Sequence, residues 1–188
     1  MKRALYTVVQ WYQQRKKLRR IVADPQYQLA QVELLTHENL AEHGIQALVL
    51  DVDGVLTPHG QTRLDESVAS WLVQLSDQWS GQIFILTNNP YGERLRYFQS
   101  TFPELQVILV KRKKPYPDGL LQVCDQMQCE PSRVLMIDDR LATGCLAACI
   151  AGTDIRWITQ PKFDLQQHYW AERFFQILRW MDLILIKK

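Results

Sequence analysis

The sequence of 188 residues contains no apolar stretch long enough to cross a bilayer uninterrupted by charge. The apolar run nearest its start, "YTVVQWY", is too short for a signal-peptide core and precedes the basic cluster instead of following it. There is no internal repeat and no low-complexity tract. The four cysteines, Cys124, Cys129, Cys145 and Cys149, show no CxxC spacing, and no neighbouring histidines complete a zinc site. Free thiols in a reducing compartment are expected, hence a cytoplasmic location with room for peripheral contact at the inner face of a membrane.

Acid is also missing from one region: residues 1 to 22 hold seven bases and no carboxylate, leaving fifteen bases against twenty acids elsewhere. A mildly acidic body therefore carries a basic arm, although the formal net charge is only +2. Such an arm suits an anionic partner, and a solvated helix face explains it equally well. No recognition motif for nucleic acid accompanies it, so nucleic acid is not an expected partner. The length and the apolar fraction of 47% fit one well-buried domain, with no second full domain.

Five apolar runs rich in β-branched residues read as strands buried on both faces: 46–52, 81–88, 105–111, 133–139 and 154–159. Between them, residues 65–79, 91–100, 117–128 and 141–150 have helical spacing, as in Val68, Leu72 and Leu75. The alternation predicts an α/β fold, a doubly wound parallel sheet whose ligands gather at the carboxyl edge. Residues 1–43 form the basic arm and a lead-in segment, with Thr36 or His37 opening a short helix that stops at Gly44. Residues 44–161 form the core and 162–188 a C-terminal amphipathic helix. In that helix Glu172, Arg173, Gln176, Arg179 and Asp182 share one side, with Phe174, Ile177, Leu178, Met181 and Leu185 opposite. It either packs on the body or lies in a membrane interface.

Four strand ends finish in polar groups of different kinds. The first ends with Asp51 and Asp53, the second with Thr87 and Asn88, the third runs into "KRKKP" and the fourth ends with Asp138 and Asp139. A carboxylate beside a hydrophobic core is costly unless a cation or a dense hydrogen-bond shell compensates. Carboxylates, a hydroxyl and a lysine converging on one crevice are the parts needed to hold a hard divalent cation and a phosphate together. Each has a plainer reading alone: an Asp after a strand caps a helix, a Thr there makes a turn, and Lys114 lies in a four-base run beside its rival Lys113. Arg140 is left to pair with a nearby carboxylate, and His59 has no evident partner.

These spaced motifs resemble those of the haloacid dehalogenase-like (HAD) hydrolases. Asp51-Val52-Asp53-Gly54-Val55 matches DxDx[TV], Thr87 the hydroxyl after strand two, and Lys114-Pro115 the lysine of the third motif. The fourth usually reads "GDxxxTD", whereas this chain reads "IDDRLATG": Asp139 matches the first acid, Asp138 stands at the glycine and Gly144 at the second acid. The order "DP...ELLTHENLAEHGIQALVLDVDGVL", "TNN" and "KKP" is similar to the YqeG-type phosphatases of HAD subfamily IIIA, relatives of the phosphatidylglycerophosphate phosphatases.

The resemblance implies a HAD-like Rossmannoid core and a magnesium-dependent phosphatase working through an aspartyl-phosphate. Asp51 is the implied nucleophile and Asp53 the acid and base, with the Asp53 backbone carbonyl also at the metal. Thr87, Asn88 (through its backbone N–H) and Lys114 are implied phosphate ligands, and Asp51 and Asp139 hold Mg2+. Gaps 57–81 and 89–114 leave no room for a cap, so the fold is expected to be capless with a bulky phosphorylated substrate, lipid-linked as in phosphatidylglycerophosphate. Trp11, Tyr12, Trp170 and Trp180 suit a membrane interface. Two alternatives stay open: a phosphatase for small sugar or nucleotide phosphates, and a non-catalytic magnesium- or phosphate-binding module, for which Gly144 is the motive.

Overall fold

The computed structural model describes residues 2–89, 92–164, 166 and 169–187, without the side chains of residues 171 and 187. Among the described residues seven α-helices and six strands alternate along the chain. The strands are β1 (Gln28–Leu29), β2 (Ala47–Leu50), β3 (Gln82–Ile85), β4 (Gln106–Val107), β5 (Val134–Asp138) and β6 (Asp154–Ile158). The helices are α1 (Arg3–Ala23), α2 (His37–Glu42), α3 (Glu66–Gln78), α4 (Glu93–Thr101), α5 (Asp118–Met127), α6 (Leu146–Ala151) and α7 (Tyr169–Lys187). All strands are parallel, in the order β1-β6-β5-β2-β3-β4.

The side-chain period of two splits the apolar strands between two cores. Leu48, Leu50, Leu135 and Ile137 face the layer formed with Leu40 of α2, Val68 and Leu72 of α3 and Phe98 of α4. Ala47, Val49, Val134 and Met136 face Leu18 of α1, Leu120 of α5 and Leu146 of α6. Burial on both faces explains the continuous apolar runs. Truncating Leu48 or Leu50, each fully buried, to Ala costs about 2–5 kcal/mol.

Local chemistry sets the helix starts. Thr36 accepts from the N–H of Asn39 at 3.4 Å while the Asn39 side chain accepts from the N–H of Thr36, a capping box opening α2. Asp65 accepts from Val68 N–H at 2.9 Å and opens α3, whose Val68, Trp71, Leu72 and Leu75 form its buried stripe.

The chain winds outward from β2 through β3 to β4, then returns to the other side of β2 with β5. The switch point thus lies between β2 and β5, where the carboxyl ends part and leave a crevice. This is the doubly wound α/β architecture expected. Among the described residues only α4 and β4 lie between β3 and residue 113, so no inserted cap covers that edge.

Three features differ from the sequence reading. The lead-in segment contributes β1, which pairs with β6; two residues are too short for periodicity to reveal. The third expected strand, 105–111, shrinks to Gln106–Val107. The helix expected at 141–150 begins as a five-residue π-helical turn, Leu141–Cys145, before α6. Residue 91 of one expected helix and residues 165, 167, 168 and 188 of the last segment lie outside the described residues.

The basic arm is helix α1, docked through buried Leu18 and Ile21. Two of its bases are used internally: Lys17 donates to the Cys149 carbonyl at 3.0 Å and Arg19 to that of Ile186 at 2.9 Å. Helix α7 packs with its polar side inward: Glu172 and Asp182 are buried, whereas Phe174, Ile177, Met181 and Leu185 are exposed. An amphipathic pattern alone does not say which side faces the body. Here the body presents charged groups at the sheet edge, and they select the polar side.

Candidate active site

Strand β2 delivers Asp51 to the switch point. Its N–H still bonds the Ile137 carbonyl at 3.0 Å, so the side chain is aimed by the sheet itself. Gly54 then turns the chain with φ +83°; a β-carbon there would lie 2.5 Å from Asp139 Oδ2. Both the left-handed backbone and the close approach require glycine.

Lys114 is buried, with Nζ 2.9 Å from Asp51 Oδ1 and 2.6 Å from Asp138 Oδ2. Lys113 is exposed, which decides between the two lysines. Thr87 is buried at the end of β3, and its hydroxyl accepts from Asn89 N–H at 3.2 Å. The Asn88 side-chain amide donates to the Lys114 carbonyl at 3.5 Å. Asp51, Asp53, Thr87, Asn88 and Asp139 border one cleft of about 380 Å³, with Lys114 packed behind Asp51.

Asp51, Asp138 and Asp139 each offer an oxygen within 4.8 Å of the others. Burial raises the Asp51 carboxyl well above its usual range; Lys114 opposes this, while Asp138, Asp53 and Asp139 add to it. Burial pushes Asp139 up to about 6 against the pull of Arg179. Its Oδ1 is buried with no hydrogen-bond partner among the described residues. Too little positive charge for three buried acids, one of them with an orphan oxygen, fits a hard cation held by Asp51 and Asp139.

The Asp53 carboxylate lies apart from that cluster. Arg94 of α4 grips it with two bonds of 2.8 and 2.9 Å, and Gly60 N–H adds a third at 3.2 Å. Burial pushes this carboxyl up, but the Arg94 guanidinium and Gly60 outweigh burial and hold it below the usual range. Arg94 also donates to the Gln61 carbonyl at 2.7 Å. The sequence reading missed Arg94, although it stands four residues before Phe98 on the buried side of α4, where an arginine needs a partner.

Helix α7 supplies the other unforeseen groups. Arg179 pairs with Asp139 Oδ2, and Arg140 pairs at 3.1 Å with Asp182. The Arg140 partner is thus distant in sequence. His59 stacks on Phe175 with ring centroids 3.7 Å apart, and its backbone N–H donates to Glu172 at 2.8 Å. Burial lowers His59 to about 4, with Asp53 pulling it up and the Arg179 charge pushing it further down, so its ring is neutral at neutral pH.

An open parallel sheet with acids, a hydroxyl and a lysine at its switch point fits a HAD-like hydrolase, and solved structures share the fold. A haloacid dehalogenase-like hydrolase from Streptococcus pneumoniae aligns with TM-score 0.50 at 14% identity, covering 65% of this chain and 89% of that one. An uncharacterized protein from Listeria monocytogenes aligns with TM-score 0.50 at 12% identity, covering 64% and 83%. No curated protein sequence matches significantly. The family model described as mitochondrial PGP phosphatase matches residues 13–162, and the chain belongs to that family. It is a HAD-like phosphatase.

Proposed function

We propose that the protein is a magnesium-dependent phosphomonoester phosphatase of the YqeG type in HAD subfamily IIIA, forming an aspartyl-phosphate on Asp51. The observation that carries this reading is the Asp51 carboxylate, 2.9 Å from a buried Lys114 and bordering an open cleft with Thr87 and Asp139. When bound by Asp51 and Asp139, Mg2+ supplies charge that offsets repulsion between carboxylate and phosphate. An Asp51 oxygen attacks phosphorus, the bond to the leaving oxygen breaks, and Asp53 gives that oxygen a proton. Water then attacks the phosphorus, passing a proton to Asp53 and freeing Asp51 and orthophosphate. Thr87, Asn88 N–H and Lys114 hold the phosphoryl oxygens. The Arg94 grip suits Asp53 to the second, basic step; for the first, Asp53 turns from Arg94 toward the leaving oxygen.

The substrate in this proposal is a bulky, lipid-linked phosphate such as phosphatidylglycerophosphate. The capless cleft supports this, together with exposed apolar stripes on Trp170, Phe174, Ile177, Trp180, Met181 and Leu185 of α7 and on Leu5, Val8 and Tyr12 of α1. The exposed bases of α1, among them Lys16 and Arg20, would each gain about 1 kcal/mol near anionic lipid. Among the described residues no helix is long and apolar enough to cross a membrane, so the contact proposed is peripheral. The four free cysteines fit a reducing compartment, and the cytoplasmic face is the proposed side.

The test is magnesium-dependent phosphate release from p-nitrophenyl phosphate and from lipid and non-lipid panels. Wild type should turn over p-nitrophenyl phosphate and prefer phosphatidylglycerophosphate in vesicles, and Asp51→Asn should do neither. Turnover surviving in Asp51→Asn removes the covalent step. Preference for small sugar or nucleotide phosphates, or no flotation with anionic vesicles at low salt, removes the lipid.

A further inference from the structure

The π-helical turn after β5 holds an exchange of residues that the usual fourth motif does not have. Asp138, the last residue of β5, is fully buried beneath this turn. Its Oδ1 accepts from Arg140 N–H at 2.8 Å and from the Thr143 hydroxyl at 3.2 Å, while Oδ2 accepts from Lys114 at 2.6 Å. Gly144 is buried above it. A β-carbon built on Gly144 would overlap both Oδ2 and Cγ of Asp138, closer than non-bonded atoms can sit. Gly144 is not among the glycines with positive φ, so its backbone does not require glycine. What excludes a side chain at 144 is the Asp138 carboxylate.

We propose that the second carboxylate of this motif has moved across the turn, from position 144 to position 138, and that Asp138 is the positioning residue that fixes Lys114 beside Asp51. The two positions share one space, so a carboxylate at one requires glycine at the other. A buried lysine ammonium needs a permanent counter-charge. When Asp51 is phosphorylated its carboxylate charge is replaced by that of a phosphoryl group that comes and goes, whereas Asp138, tied into the turn by two further bonds, stays beside Lys114 throughout. The role of Lys114 at phosphate rests on the phosphatase reading; the exchange of space does not.

The experiment is a double-mutant cycle of wild type, Asp138→Gly, Gly144→Asp and the double variant. The readouts are melting temperature and calorimetric binding of orthophosphate, with and without magnesium. Each single variant should melt lower and bind orthophosphate about 10 to 100-fold more weakly. The double variant should recover most of both losses. Losses that simply add in the double variant overturn the exchange.

If Gly144→Asp does not fold, Gly144→Ala replaces it: destabilising in wild type and tolerated beside Asp138→Gly if the proposal holds, equally destabilising in both if it fails. Asp138→Asn keeps the shape without the charge and should weaken orthophosphate binding about tenfold while largely keeping the melting temperature; unchanged binding overturns the positioning role. A wild type that hydrolyses no phosphomonoester would sink the phosphatase reading, and the melting cycle would still decide the exchange.

Discussion

Replacing Arg179 with Met separates two effects that one guanidinium has on the proposed metal site. Arg179 pairs with Asp139 Oδ2, with side-chain exposures of 13% and 1%. A hydrogen bond to a charged group contributes about 1.5–3 kcal/mol, and solvent screens this buried pair little. A cation at Asp139 shares its carboxylate with this competing charge. Arg179→Met should therefore tighten magnesium binding by roughly 10 to 140-fold, the same energy expressed as an equilibrium ratio. Without magnesium the variant should melt lower, because Asp139 loses the cation opposing its burial. Added magnesium should then stabilise the variant more than wild type. Magnesium titration by calorimetry, paired with melting curves, reads both effects. Unchanged or weaker magnesium binding in the variant would refute the competition and make Arg179 the residue that holds Asp139 in position.

Three further outcomes follow from the site. With Asp139 raised to about 6, protons compete with the cation below that pH. Through Asp139 alone, apparent magnesium affinity should fall about tenfold per unit below about pH 6, and the raised Asp51 carboxyl should add to that fall; a pH-independent calorimetric affinity would contradict this. Arg94→Leu removes the charge that holds Asp53 low, so the basic limb of the kcat/KM profile, set by the proton Asp53 must carry in the first step, should move to higher pH, and loss of the anchor should lower turnover about 10 to 100-fold; an unmoved limb rules out Asp53 as the titrating group. Gly54→Ala forces a β-carbon into a left-handed position against Asp139, so it should cost about 1–2 kcal/mol or more; a variant that keeps both its melting temperature and its magnesium affinity would show that the turn relaxes.

The carboxyl-edge residues were legible because parallel strands converge. Once β2, β3 and β5 were read from their apolar runs, Asp51, Thr87 and Asp139 had to end near one crevice. Lys114 was legible as one of two adjacent lysines, and burial chose between them. Arg94 was harder to see, since a charged residue on a helix reads as solvent-facing until its partner, 41 positions away in sequence, is known.

Local chemistry and periodicity, which act over a few residues, thus determined the alternating elements, the helix caps and the strand ends where the chemistry gathers. Tertiary structure decided what depends on distant partners. It turned the polar side of α7 inward onto Asp139 and His59, gave Asp53 to Arg94, added β1 to the sheet edge and placed the Asp138 carboxylate in the space over which Gly144 passes. The physical reason is that a charge or an amphipathic face is satisfied by whatever the fold brings against it, and a linear pattern carries no record of that neighbour.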